Sequence, residues 1–275
     1  MSERSIDTGS DDCLAVVRDD VAVITLNRPE RRNALSRGML EGLARALQDC
    51  ELARDVRSIV LTGAGKGFCA GGDVKAMGGG GALGSDGPSF DELVHRQRLS
   101  QRETVGRIYR MPKPVIASLP GAAAGAGMGL AMACDMRIAA QSAVMVTAFA
   151  RIGFVGDYGL PWLLPRIVGR AKALELFYLS ERLSAAQCLA IGLLDRVVQD
   201  DELQDATMEL ASRLARGPAV SYRYIKENIN KAEAQDLEDF MDGEVMRHVS
   251  TARTEDFQEA VQAFIEKREP VFKGK

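Results

Sequence analysis

Residues Pro114–Asp135 read PVIASLPGAAAGAGMGLAMACD, an apolar run followed by small residues, with no charged side chain until Asp135. Small residues let a backbone come close to a partner, and a backbone offers only N–H and C=O groups. The apolar run predicts a buried strand, and the small residues a turn leading into a helix start. Free N–H groups at a helix start, aided by the helix dipole, bind negative charge. A second strand–turn–helix start stands upstream, VRSIVLTG then AGKGFCAGGD, around Gly71-Gly72-Asp73. Two such turns facing each other would form an oxyanion hole. The plainer alternative is that the small residues only permit close helix–sheet packing.

Around these stretches the chain is organised as α/β units. CLAVVRDDVAVITLN (Cys13–Asn27) predicts a hairpin about an Arg-Asp-Asp turn, and Ser36 predicts the cap of a helix with Met39, Leu40, Leu43 and Leu47 at helical spacing. A short helix is expected from Asp73, then a mobile glycine-rich loop (GGGGALGSDGP), a helix over about 91–110, and strands at MRIAA and AVMVTAF. From about Tyr158 the pattern is helical, with one strand at LLDRVV and amphipathic helices from Asp201 onward. Strand–turn–helix order therefore runs to about residue 200, dividing the chain into 1–200 and a helical 201–275.

Composition excludes several classes. The chain has 275 residues, with 35 Lys+Arg against 38 Asp+Glu, which argues against a general nucleic-acid binder. It has no apolar run of membrane-spanning length, and its polar, acidic start lacks the regions of a signal peptide, so a cytoplasmic protein is expected. The five cysteines are scattered without a CxxC pair, indicating neither a disulfide framework nor a zinc cluster; Cys69 and Cys134 read as buried apolar side chains. His95 and His248 lie in charge-rich helical segments and suggest no catalytic triad. In GAGMGL, Leu130 stands where GxGxxG needs glycine; in TGAGKGF, Gly67 follows Lys66 where a phosphate loop needs Ser or Thr; GxSxG and HExxH are absent.

LNRPERRNAL, IVLTGAGKGFCAGGDVKAM, the Pro114–Ala140 stretch, ERLSAAQCLAIGLLDRVV and AFIEKREPVFKG, in this order, closely resemble the enoyl-CoA hydratase/isomerase (crotonase) family from about Val21 to the C-terminus. The resemblance implies a spiral of ββα units and a C-terminal helical region that builds a homotrimer, often a dimer of trimers. It implies chemistry on acyl-CoA thioesters whose carbonyl becomes an enolate, with coenzyme A present only as part of the substrate and no metal or redox cofactor. The family pattern places the oxyanion donors at the amides of Gly72 and Ala126. It places coenzyme A contacts at Arg31, Arg32, Ala70, Asp73, Val74 and Lys75, with Phe264 and Lys267 reaching a neighbouring subunit's nucleotide.

Two departures matter. Hydratases of this family use two glutamates, and the matching positions here are Gly129 and Phe149, neither able to transfer a proton. FARIGFVGDYGLPWLLPRIVG carries Asp157 instead, where isomerases resembling 1,2-epoxyphenylacetyl-CoA isomerase have an acid and an aryl-CoA dehalogenase has its nucleophile. Gly156 stands for the usual proline and Leu160 for a glycine. Asp157 is thus expected to be the proton-transferring acid, or else the cap of a helix starting near Tyr158. Phe149, Phe154, Tyr158 and Trp162 are expected to line an apolar acyl pocket, or to pack the core. The reading is an acyl-CoA isomerase. The alternatives are an enoyl-CoA hydratase, an aryl-CoA dehalogenase, and a non-catalytic RNA-binding homologue, which would want a lysine-rich helix.

Overall fold

Asp19 and Asp20 both take left-handed backbone (φ 52° and 64°), the pair of conformations that a two-residue hairpin turn requires and aspartate tolerates. They join β2 (Cys13–Arg18) to β3 (Val21–Leu26), antiparallel, with Arg18 opposite Val21. The computed structural model describes residues 3–73 and 88–275; the expected short helix after Asp73, with Val74 and Lys75, and most of the glycine-rich segment lie outside them. A strand not foreseen in the sequence, β1 (Glu3–Ser5), pairs with β2. Parallel strands β4 (Ser58–Gly63), β6 (Val115–Leu119), β8 (Met136–Ala140) and β11 (Arg196–Val198) continue the sheet in the order β1-β2-β3-β4-β6-β8-β11.

A second sheet explains the repeating pattern. After β4, β6 and β8 the chain bends into a short strand: β5 (Gly67–Cys69), β7 (Ala122–Ala124) and β9 (Val144–Val146). These three run parallel in the order β9-β7-β5, and β10 (Leu183–Ser184) adds to β9 antiparallel. The unit is a strand in the large sheet, a strand in the small one, then a helix or helical turn. The expected strand across Ala143–Phe149 is therefore only three residues long, and a 3₁₀ turn, Phe149–Ile152, follows it.

The helices are α1 (Arg37–Leu52), α2 (Phe90–Glu103), α3 (Val105–Arg110), α4 (Ala126–Ala133), α5 (Leu160–Val168), α6 (Arg170–Leu179), α7 (Ala185–Ala190), α8 (Leu203–Ala215), α9 (Ala219–Ala232), α10 (Leu237–Thr251) and α11 (Glu255–Glu266). Ser36 Oγ accepts from the Met39 N–H at 3.0 Å, and α1 buries Met39, Leu43, Ala46 and Leu47 on one face. The helix expected over 91–110 is broken at Thr104 (φ −108°, ψ −91°), whose hydroxyl donates to the Ser100 carbonyl at 2.7 Å. Every residue of β6 is buried, as a parallel strand covered on both faces must be. One of those covers is α8, whose Leu203, Leu210, Ala211 and Leu214 pack on Val21, Val60, Ile116 and Ile138. Lys226 of α9 reaches back to the Asp135 carboxylate (2.8 Å) and the Ile108 carbonyl (3.1 Å), fastening the C-terminal helices to the core. Among the described residues no helix is long and apolar enough to cross a membrane.

The small residues of the opening stretch do have a packing role. All eight residues of α4 are buried, and a Cβ at Gly127 would fall 2.4 Å from the Cys69 carbonyl oxygen. The helix therefore rests directly on the end of β5. Gly127→Ala must push the two apart, and an overpacking cost of about 1–3 kcal/mol in urea unfolding is expected.

Candidate active site

The three parallel strands of the small sheet end side by side, and the residues leaving β5, β7 and β9 enclose one cavity of about 110 Å³. Its walls are Ala70–Gly72, Gly125–Ala126 and Thr147–Phe149, completed by Ile152, Phe154 and Asp157. Ligands in α/β folds settle at such carboxyl ends, where the backbone turns away.

The first two turns meet closely. Gly71 has φ 83°, and a Cβ there would lie 3.3 Å from the Ala126 nitrogen. Gly125 takes φ 51° and ψ −124°, a conformation closed to other side chains, while its N–H donates to the Val146 carbonyl at 3.0 Å. The Ala126 N–H is the first of α4 and has no acceptor within the helix. Gly72 makes only an isolated bridge to Leu35, in which Leu35 donates to the Gly71 carbonyl (2.8 Å); among the described residues the Gly72 N–H donates to no carbonyl or side chain. Both expected oxyanion donors thus border the same cavity.

Residues missed in the sequence hold the first turn. Asn33, wholly buried with φ 54°, accepts from the Arg28 N–H (2.9 Å) and donates to the carbonyls of Ala64 (2.9 Å) and Gly67 (2.8 Å). Arg28 donates to the Ala34 carbonyl and lies 3.6 Å from the Asp73 carboxylate. The Ala70 N–H donates to the Arg32 carbonyl at 3.0 Å, so the backbone of Arg32 anchors the turn while Arg31 and Arg32 expose their side chains. The visible signal was an asparagine between the charged RPERR run and the apolar Ala-Leu.

Asp157 borders the same cavity. It is half-buried; its Oδ1 is shielded from solvent and has no hydrogen-bond partner among the described residues, and burial pushes the carboxyl up to about 6. It does not cap α5: the cap position is Gly159, without a side-chain cap bond, and the Asp157 backbone carbonyl, not its carboxylate, accepts from Leu160. Phe149 is buried, stacks on Phe177 at 6.2 Å, and places ring atoms 3.7 Å from where a Gly125 Cβ would be.

Two of the expected pocket residues are elsewhere. Tyr158 is buried in the core, and its hydroxyl shares a 3.1 Å hydrogen bond with Ser100 on α2. Trp162 lies on the outer face of α5, edge-on to Tyr109 (5.2 Å) and beneath the Arg166 guanidinium (3.7 Å). The cause is the phase of α5, which turns Leu160, Leu163 and Leu164 inward and leaves Trp162 outside. Phe264, largely exposed, and Lys267, the left-handed C-cap, belong to α11 and line no part of the cavity.

The position of Gly129 has a steric explanation. A Cβ there would meet the Tyr158 carbonyl oxygen at 2.7 Å, so the backbone after Asp157 fills the space a second acid would need. The buried Cys69, its Sγ directed at the Asn33 carbonyl, has its thiol pushed up to about 12 by burial and is no nucleophile. The cavity thus joins two amides able to bind negative charge with one carboxylate whose proton affinity suits transfer near neutral pH.

A buried carboxylate without a partner costs stability when ionised. Because its folded value lies above the ordinary 3.8, the cost grows as pH rises from about 4 to 6 and is complete above that. The full shift corresponds to about 3 kcal/mol, and partial exposure reduces it to about 1 kcal/mol. Asp157→Asn should therefore raise the melting temperature at pH 7.5 and leave it unchanged near pH 4.

The family model for enoyl-CoA hydratase/isomerase matches residues 17–275. The chain is 40% identical over 262 residues to 1,2-epoxyphenylacetyl-CoA isomerase of Escherichia coli K12, covering 95% of this chain and 98% of that protein. It is 37% identical to a probable enoyl-CoA hydratase of Rhodobacter capsulatus, covering 94% and 96%. A solved structure of a protein assigned as an enoyl-CoA hydratase, from Streptomyces coelicolor A3(2), superposes with TM-score 0.90 at 34% identity, covering 96% and 94% of the two chains. A match to the family model from residue 17 to residue 275, relatives of this identity and the same spiral of paired strands agree: this chain belongs to the enoyl-CoA hydratase/isomerase family, with the crotonase fold.

Proposed function

We propose that the protein is an acyl-CoA isomerase that moves a proton at the carbon next to a thioester. The observation that carries this reading is the Asp157 carboxylate, without a partner among the described residues, bordering the same cavity as Gly72 and Ala126. In the proposed reaction the thioester oxygen accepts from both N–H groups, and Asp157 removes the alpha proton. The enolate oxygen is held in place, and the same carboxyl returns the proton at a different carbon. One acid suffices for such a shuttle, whereas hydration needs a water activated and a proton delivered. Phe149 and the space blocked beside Gly129 offer no group for the second task. The E. coli relative's name, an isomerase, favours the same reading. The shuttle runs on the chain's own groups, and coenzyme A enters as part of the substrate.

The coenzyme A contacts proposed are the Ala70 carbonyl, Arg31, Arg32, Asp73, Val74 and Lys75, with Phe264 and Lys267 acting toward a neighbouring subunit. A homotrimer or dimer of trimers is part of the proposal. It is supported by the apolar side chains that the C-terminal helices expose, among them Met241, Val245, Val249, Val261, Phe264 and Ile265. Light scattering should give three or six subunit masses.

In deuterated water the wild type should exchange the alpha proton of a bound thioester, with a rate that rises with pH through about 6 as Asp157 ionises. Asp157→Asn should bind the thioester but lose ~10²-fold or more of the exchange. Equal exchange by the two proteins would remove Asp157 from the mechanism. Ala126→Pro deletes one donor at the first helical position, where proline is well tolerated, and should cost ~10²–10³ in rate.

A further inference from the structure

Phe154 is a wall of the 110 Å³ cavity and equally a wall of a second cavity of about 710 Å³. The outer cavity runs along α5 and α6, lined by Ala150, Pro161, Pro165, Ala173, Leu174 and Phe177, with Arg170 the charged residue on its wall. The Phe149–Phe177 stack forms the rest of the partition, Phe149 facing the inner space and Phe177 the outer. Phe154 and Val155 sit between Gly153 (φ 71°) and Gly156 (φ 105°), and the pair is 52% and 91% exposed. A turn that holds two apolar side chains in water at the mouth of an apolar cavity gains by being covered.

We infer that the outer cavity is the distal acyl subsite, and that Phe154 sets how long an acyl group the enzyme accepts. The inference rests on the acyl-thioester reading of the inner cavity. The occupant is an extended apolar acyl tail. The inner cavity accommodates the carbonyl and the carbons that exchange protons, but a longer chain must leave it. Phe154 is the apolar wall that opens onto a space large enough to receive that chain. Burial there covers Phe154 and Val155 together with the tail, so affinity grows with each carbon that enters. Phe154 acts on substrate selection, while Asp157 and the two amides act on the proton.

The test is the rate of alpha-proton exchange with 3-butenoyl-, 3-hexenoyl-, 3-octenoyl- and 3-decenoyl-CoA, whose C2 carries the exchangeable protons. In the wild type kcat/KM should rise about two- to fourfold per added CH₂ once the tail passes Phe154. Ala150→Trp, which fills the mouth of the outer cavity, should lower the decenoyl-to-butenoyl ratio of kcat/KM about tenfold. Phe154→Ala, which removes the partition, should raise that ratio. A flat chain-length series, or a ratio indifferent to both substitutions, would overturn the inference. So would an Ala150→Trp protein whose mass by light scattering drops while its ratio stays put, because the groove would then be a subunit interface. Exchange with butenoyl-CoA alone sinks the distal subsite and leaves the isomerase reading standing. Exchange with none of the four sinks the isomerase reading, and the subsite with it.

Discussion

The structure depends on one close contact between two backbones. The first turn of α4 rests on the carbonyl of Cys69 because Gly127 has no side chain, and the left-handed Gly71 passes Ala126 with no room for one. Every other element of the site follows from that approach. It brings the carboxyl ends of β5 and β7 together, sets Gly72 and Ala126 on one cavity, and leaves β9 to lead into Phe149 on the same cavity. Packing and polarity are therefore not competing explanations of the small-residue stretch. Gly127 serves contact, Gly125 serves a backbone angle, and the absence of side chains at both is what leaves an amide uncovered.

The polar part of the site is held from outside the two motifs that define it. Asn33 satisfies two carbonyls at the ends of the β4–β5 bend and takes a third bond from Arg28, so the loop before α1 acts as a clamp on the first turn. Arg28 reaches the Asp73 carboxylate just past Gly72. A turn anchored on both sides can leave its own N–H without a partner, because it does not need that bond to keep its shape. Asp157 shows the opposite economy. Its Oδ1 is buried and, among the described residues, partnerless, and such a group persists where the surrounding backbone dictates its position.

Much of the fold was legible in the sequence because its signals are local. The Asp-Asp turn, the Ser36 cap and the all-apolar strand at Val115–Leu119 each depend on neighbours in the chain. The family resemblance pointed to Gly72, Ala126 and Asp157, and these border one cavity. What was not legible depends on partners far away. β1 and β10 are edge strands of two or three residues, too short to show a period. Thr104 breaks a helix that periodicity continues. Aromatic residues near Asp157 looked alike in sequence, but the phase of α5 sends Trp162 outward and the left-handed bend at Tyr158 sends that ring into the core. Nothing in the local sequence fixes that phase.

The bend at Tyr158 also links two features that look independent in the sequence. Tyr158 has φ 45°, its hydroxyl is tied to Ser100, and its carbonyl oxygen occupies the place where a side chain at position 129 would begin. A glutamate at 129 would force that carbonyl away, and the residue immediately before it is Asp157. The backbone that presents Asp157 to the cavity is thus the backbone that keeps position 129 empty. A second acid at 129 and the present placement of Asp157 exclude each other sterically, before any proton is transferred. A position 129 without a side chain and an Asp157 that borders the cavity are therefore two consequences of one path of the chain.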